Sequence, residues 1–62
     1  MKRFDTAEEA LANAKEIDPD VRELADGEDF GSLTLREAAN IIDVHATGGG
    51  MWTWCYQRDM AG

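Results

Sequence analysis

The chain has very few residues that could cross-link a small fold. Cys55 is its only cysteine and His45 its only histidine. An internal disulfide is therefore excluded, and one thiolate with one imidazole falls short of the four ligands of a structural zinc site. A single cysteine is also more typical of a reducing compartment than of a secreted scaffold. We predict a fold held together by packing, without disulfide, metal or cofactor.

Long apolar runs are missing as well. No stretch approaches the ~20 apolar residues needed to span a bilayer. Asp5, Glu8 and Glu9 interrupt the region where a signal peptide would be apolar. These absences predict a cytoplasmic protein, which for a viral protein would mean the host cytoplasm. With 62 residues, the chain is expected to form one domain over residues 1–62.

Basic residues are the third scarce class. Six Lys and Arg against thirteen Asp and Glu give a net charge of −7, which repels phosphate groups and anionic lipids. Direct binding to nucleic acid or membranes is therefore not expected. Ten of the acidic residues lie between Asp5 and Asp29, where only Lys15 and Arg22 oppose them, a net of −8. A basic protein surface is the expected partner, unless the charge serves only to keep the protein in solution.

Helix signals are concentrated in the first half of the chain. Thr6 and Glu9 have the spacing of a capping box, and apolar residues recur at spacings of three and four behind them. This pattern predicts a helix over residues 6–17. Because proline breaks a helix but fits the first position of a new one, Pro19 predicts a second helix over 19–25.

The second half combines a third helix with an alternating segment. Thr34 and Glu37 form another capping box, which predicts a helix over 35–46 that ends before the glycines at 48–50. Residues 51–58 alternate in polarity as a strand does. We therefore predict an α+β domain with three helices and a C-terminal strand, and an all-α fold with an irregular tail is the alternative.

A lone strand must find a partner for its backbone hydrogen-bonding groups. Three candidates are open for the 51–58 strand: residues 30–33, the N-terminal residues 2–4, or the same strand of a second chain. The last of these would make the protein a self-associating structural subunit, for which a homodimer is the simplest form.

Catalytic residues are not evident. His45 and Cys55 are ten residues apart, and a Cys-His nucleophile pair needs a preformed pocket that so short a chain can hardly enclose. His45 is interpreted as a structural histidine in the last turn of the third helix, and Cys55 as a small strand residue. The protein is not expected to be an enzyme.

Residues 26–37 resemble an EF-hand calcium loop. In this alignment Gly31 provides the sharp turn, and Phe30 stands where the family places an oxygen ligand. The resemblance implies calcium ligands at Asp26, Glu28, the Ser32 carbonyl, Thr34 and a bidentate Glu37. A degenerate calcium-binding module is therefore an alternative function, although Glu37 is equally explained as the capping partner of Thr34.

The main hypothesis places the partner in contact with the acidic segment and the aromatic strand. Carboxylates on successive helical turns are about 6 Å apart, which suits a channel that otherwise holds nucleic acid. Trp and Tyr are the residues that dominate interface hot spots, although a small core also needs at least one of them inside. The predicted partner-binding residues are Glu8, Glu9, Glu16, Asp18, Asp20, Glu23, Asp26, Glu28, Asp29, Trp52, Trp54 and Tyr56.

This surface predicts a stoichiometric inhibitor of a DNA- or RNA-binding protein or complex. In size and charge the chain is similar to phage-encoded inhibitors, including anti-CRISPR proteins and DNA mimics, but it shares no motif with them. The resemblance implies protein–protein contact as the mode of action.

Overall fold

The computed structural model describes residues 2–60. It confirms the predicted α+β class, and the all-α alternative is wrong because the described chain contains a two-stranded antiparallel sheet. The elements in chain order are α1 (Ala7–Ile17), a 3₁₀ helix (Phe30–Ser32), α2 (Leu35–Ala39), β1 (Ile42–Gly48), β2 (Met51–Tyr56) and α3 (Gln57–Met60).

Helix α1 begins where the capping signal predicts. The backbone N–H of Glu9 donates to Oγ1 of Thr6 over 3.1 Å, which satisfies one of the unpaired donors of the first turn. Ala10 and Ala14 are fully buried, so small side chains let the helix approach the sheet closely. The helix ends at Ile17, because Asp18 is extended and a proline follows. The prediction of a helix over 6–17 is therefore confirmed.

The sheet is a hairpin closed by the glycine triplet. Gly48, Gly49 and Gly50 have φ values of +97°, +64° and +77°, a region that L-residues with a side chain rarely adopt. The strands pair in register from Ile42 opposite Tyr56 to Ala46 opposite Trp52, with an irregularity before Gly48. The triplet thus reverses the chain between two strands, where we had predicted it to end a helix.

Both edges of the hairpin are partly covered. On the β2 side, Phe4 exchanges backbone hydrogen bonds of 2.7 and 2.8 Å with Trp52. On the β1 side, Arg22 forms a parallel bridge with Ile41. The main partner of the C-terminal strand is β1, which was not among the three candidates. The N-terminal candidate is confirmed at Phe4 alone, and residues 30–33 make no bridge to β2 in the described chain. The edge that a second copy would need is partly occupied, which protects it from edge-to-edge association.

The predicted third helix is much shorter than expected. Its capping box at Thr34 and Glu37 forms as predicted, but the helix stops at Ala39, and the prediction of helix to residue 46 is wrong. The next residues are rich in β-branched side chains, which favour strands. Ile41 and Ile42 are both buried, with 0% and 1% of their surface exposed. Pairing with β2 supplies this segment with backbone partners that outweigh its helical periodicity.

The predicted helix over 19–25 does not form, and that prediction is wrong. A turn at Pro19 is held by the N–H of Val21 donating to the Asp18 carbonyl over 3.2 Å. Val21 then enters the core at 3% exposure. The N–H of Arg22 donates to the Asn40 carbonyl, and its own carbonyl accepts from Ile42. Only an extended backbone can present both groups sideways to a neighbouring strand.

The core lies between α1 and one face of the hairpin. Ala14, Val21 and Ile42 form its buried centre, and four partly buried residues pack against them: Leu11, Val44, Trp54 and Tyr56. Because side chains alternate along a strand, the opposite face of the hairpin carries Asp43, His45, Thr53 and Cys55. One face of the sheet is thus apolar and covered by the helix, whereas the other carries polar side chains.

Candidate functional site

Six of the nine predicted acidic partner-binding residues are exposed and make no side-chain hydrogen bond or ion pair within residues 2–60. Three project from α1 into solvent, and three follow on the loop between α1 and the 3₁₀ helix. We call them the free carboxylates: Glu8, Glu9, Glu16, Asp20, Glu23 and Asp26.

The other three acidic residues are used inside the fold. Asp18 accepts a 3.2 Å hydrogen bond from the Tyr56 hydroxyl. Asp29 caps the 3₁₀ helix by accepting from the N–H of Gly31 and the hydroxyl of Ser32. Asp18 thus helps to position the Tyr56 ring, and Asp29 holds the turn of the 3₁₀ helix. Because both already have partners inside the fold, they are not counted among the free carboxylates.

Glu28 is the third of these residues, and it forms an ion pair with Arg22. Both carboxylate oxygens accept from the guanidinium, at 2.7 and 2.9 Å, and one also accepts from the N–H of Ala25. The bidentate hydrogen bonds from Arg22, followed by the Ala25 bond, lower the pKa of Glu28 to about 2. Since the Arg22 backbone pairs with Ile41, the ion pair ties the acidic loop to the edge of the sheet.

This ion pair predicts a specific dependence of stability on pH. The folded pKa of Glu28 lies below its ordinary value of 4.5, at about 2. Its stabilising contribution is therefore complete above about pH 4.5 and is lost as the pH falls toward about 2. We expect the free energy of unfolding of the wild type to fall more steeply over this range than that of E28Q.

The measurement is urea unfolding followed by tryptophan fluorescence at a series of pH values. E23Q is the matched control, because Glu23 is exposed and its side chain has no partner among the described residues. E23Q should follow the wild-type curve. If the free energy of unfolding fell equally with pH in E28Q and the wild type, the stabilising role of the Arg22–Glu28 ion pair would be contradicted.

The aromatic residues of β2 make contacts within the fold. Nε1 of Trp54 donates to Oδ1 of Asn13 over 3.1 Å, and the rings of Trp54 and Tyr56 meet edge to face with centroids 5.5 Å apart. Burial, together with the neighbouring Asp18 carboxylate, raises the pKa of the Tyr56 hydroxyl, which keeps it a hydrogen-bond donor. Trp52 is half-buried beside Phe4. These contacts agree with the core interpretation, and partner binding by the aromatic residues stays a prediction.

A second group of functional side chains lies on the polar face of the hairpin. The register sets Asp43 opposite Cys55, and His45 is two residues further along the same face. Nδ1 of His45 lies 3.0 Å from Oδ2 of Asp43. One donor atom from each of the three residues lies within 4.8 Å of the other two. We call this group the hairpin cluster; all three side chains are partly buried.

The sequence did not predict the hairpin cluster, because its pattern placed His45 in a helix over residues 35–46. On a helix, a residue ten positions from Cys55 would be remote from it; on a hairpin, the turn brings the two together. Two signals were present in the sequence. Asp43 and His45 have the spacing of two residues that puts strand side chains on one face, and the glycine triplet can reverse the chain.

The donor set of the hairpin cluster admits two kinds of chemistry, a Cys-His-Asp nucleophile or a metal site. Burial raises the pKa of the Cys55 thiol, and the Asp43 and Asp59 carboxylates raise it further. A nucleophilic cysteine needs the opposite shift. An open depression of about 390 Å³ elsewhere, between the N-terminal segment and α1, contains none of the three residues. The thiol is therefore not activated as a nucleophile, and the donor types and their proximity are those of a metal site.

The loop that resembles an EF-hand is arranged differently. Glu28 pairs with Arg22, while Glu37 accepts from the Thr34 hydroxyl over 2.9 Å. The incoming helix that the resemblance requires is absent from the described chain. Within residues 2–60, the hairpin cluster is the one group of three metal-donor side chains found close together. Calcium binding by residues 26–37 stays a prediction. In the described chain no helix leads directly into this loop, and α2, which follows it, has five residues.

Comparisons of the chain with protein-family models, characterised proteins and solved structures found no match. No helix in the described part of the chain has the length and apolar character needed to cross a bilayer.

Proposed function

We propose that the protein is a stoichiometric inhibitor, without enzymatic activity, that occupies a basic surface of a nucleic-acid-handling protein in the cytoplasm. The observation that carries the proposal is the exposure of the free carboxylates, whose side chains have no hydrogen-bond or ion-pair partner within residues 2–60. A carboxylate already paired inside the fold would have to give up that partner to bind a target. The free carboxylates would lose only bound water, so no interaction inside the fold has to be broken before they contact a partner.

The free carboxylates are also held at defined places. Those on α1 are carried by a helix anchored in the core through Ala10 and Ala14, and they span about two turns, roughly 12 Å. On the loop, Asp20 directly precedes the buried Val21, and Glu23 and Asp26 lie between the two residues of the Arg22–Glu28 ion pair. An acidic surface of this kind favours rapid, salt-sensitive association with Lys- and Arg-rich surfaces.

Small size and acidity are features that the chain shares with anti-CRISPR proteins and DNA mimics encoded by phages. We include these in the proposal as the class of inhibitor to test first. The target is then a protein whose basic groove ordinarily holds DNA or RNA, and inhibition results from competition for that groove.

The test is displacement of fluorescently labelled duplex DNA from purified nucleic-acid-binding proteins, with a CRISPR effector complex among them. We expect displacement at a one-to-one ratio at about 50 mM salt and at least tenfold weaker displacement at about 200 mM. Displacement that is equally strong at both salt concentrations, or absent from every member of the set, would contradict the proposal.

Two variants of equal charge change then locate the contact. One neutralises the helix carboxylates and the other the loop carboxylates, and we expect at least a tenfold loss of affinity for one of them. D59N neutralises an exposed carboxylate on α3 and should leave binding unchanged. An equal, small loss of affinity in all variants would indicate that only the net charge of the chain matters, and not a defined contact surface. The two triple variants are E8Q/E9Q/E16Q and D20N/E23Q/D26N.

A further inference from the structure

The hairpin cluster has the donor types of a transition-metal site. It combines a thiol, an imidazole and a carboxylate, which are the three protein ligand types that zinc uses. They come from two strands whose register is set by backbone pairing, with Asp43 opposite Cys55. The position of each donor is thus determined by the sheet and does not depend on a flexible loop.

The spacing of the donors is close to what a tetrahedral ion requires. With zinc bonds of about 2.0–2.3 Å, two ligand atoms of a tetrahedral site lie roughly 3.3–3.8 Å apart. His45 and Asp43 already approach to 3.0 Å, and every pair of donors in the cluster lies within 4.8 Å. The three donors are therefore already close to the separations that one ion requires.

The electrostatics of the cluster also favour a cation. Two carboxylates, Asp43 and Asp59, add negative potential at the Cys55 sulfur. The cluster itself contains one group that can carry the opposite charge, His45, and only when it is protonated. A divalent cation would neutralise this local charge and hold the thiol as thiolate.

We propose that Asp43, His45 and Cys55 bind one zinc-class divalent ion across the hairpin. The side chains of His45 and Asp43 retain 39% and 31% of their exposure, so solvent reaches the ion and a water molecule completes its coordination. The ion would cross-link β1 to β2 in a domain too small to have a large core. This proposal is independent of the acidic surface, since none of the free carboxylates belongs to the cluster.

The first experiment is titration of the purified full chain with Co²⁺ as a spectroscopic substitute for zinc. We expect a thiolate-to-cobalt charge-transfer band and visible bands of tetrahedral intensity, saturating at one metal per chain and disappearing when zinc is added. Saturation at one metal per two chains would overturn the single-chain site. A folded protein that shows no charge-transfer band would overturn the metal site itself.

Three conservative variants test the ligands. C55S should lose the charge-transfer band, while H45Q and D43N should each weaken Co²⁺ and Zn²⁺ binding at least tenfold. The matched control for D43N is D20N, which removes the same charge from an exposed residue outside the cluster and should bind as the wild type does.

Circular dichroism decides whether each variant is folded, and the thermal midpoint gives a second readout. Zinc should raise the midpoint of the wild type and of D20N but not that of C55S, because a ligand stabilises only a state that binds it. The proposal would be overturned if C55S and the wild type had the same metal affinity and zinc raised their thermal midpoints equally.

Discussion

Replacing Trp54 with alanine is expected to lower the free energy of unfolding by about 3–5 kcal/mol. The indole packs against the core formed by Ala14, Val21 and Ile42, and its N–H donates to Asn13 on α1. Truncation leaves a cavity between helix and sheet and removes the hydrogen bond that sets their relative position. A domain of this length is expected to have a total stability of roughly 3–9 kcal/mol, so W54A should be largely unfolded at modest urea concentrations.

Urea unfolding monitored by far-ultraviolet circular dichroism measures this loss. W54F is the companion variant, because phenylalanine keeps an aromatic ring at this position but removes the donor to Asn13 and a smaller part of the packing. It should lose about 1–2 kcal/mol. A W54A protein with nearly wild-type stability would show that the indole is not part of the core. If that protein had also lost partner binding, Trp54 would belong to the interface.

The second large effect is expected at Ile42, the first residue of β1. It is 1% exposed and lies in the buried cluster with Ala14 and Val21. I42A should lower the free energy of unfolding by about 2–5 kcal/mol, through lost apolar burial and the cavity that remains. The backbone N–H of Ile42 also donates to the carbonyl of Arg22. A cavity at Ile42 is therefore expected to weaken both β1 and the extended segment at Arg22 that pairs beside it.

A matched control for I42A is present in the same chain. Leu35 is an aliphatic residue of the same size at the start of α2, and it is 93% exposed. L35A should change stability by no more than about 0.5 kcal/mol. Equal losses for the two variants, measured by urea unfolding under the same conditions, would contradict the placement of the core between α1 and the hairpin.

Local signals in the sequence were sufficient for several elements. The side chain of Thr6 caps α1, and Thr34 caps α2 with Glu37 as its partner, because a capping box needs only residues three positions apart. The alternation of residues 51–58 predicted β2, and the described strand covers Met51–Tyr56. These features depend on neighbours in sequence, so the chain's local chemistry decides them.

The structure of residues 40–48 could not be decided in this way. Ile41, Ile42 and Ala46 fit a helical stripe, whereas Ile42, Val44 and Ala46 fit one face of a strand. Both patterns are present, and pairing with β2 decides between them because a strand without a partner leaves its backbone groups unsatisfied. The same reason applies to the extended backbone at Arg22, which replaces a predicted helix.

The candidate functional groups also depend partly on the sequence alone and partly on the tertiary structure. The sequence alone determined the charge of the chain, the concentration of acid between Asp5 and Asp29, and the presence of one thiol and one imidazole. Tertiary structure decided which carboxylates are free, because Asp18 and Glu28 find their partners, Tyr56 and Arg22, only in the folded chain. It also decided that His45 and Cys55 meet, since ten residues of sequence separation become a short distance only across a hairpin.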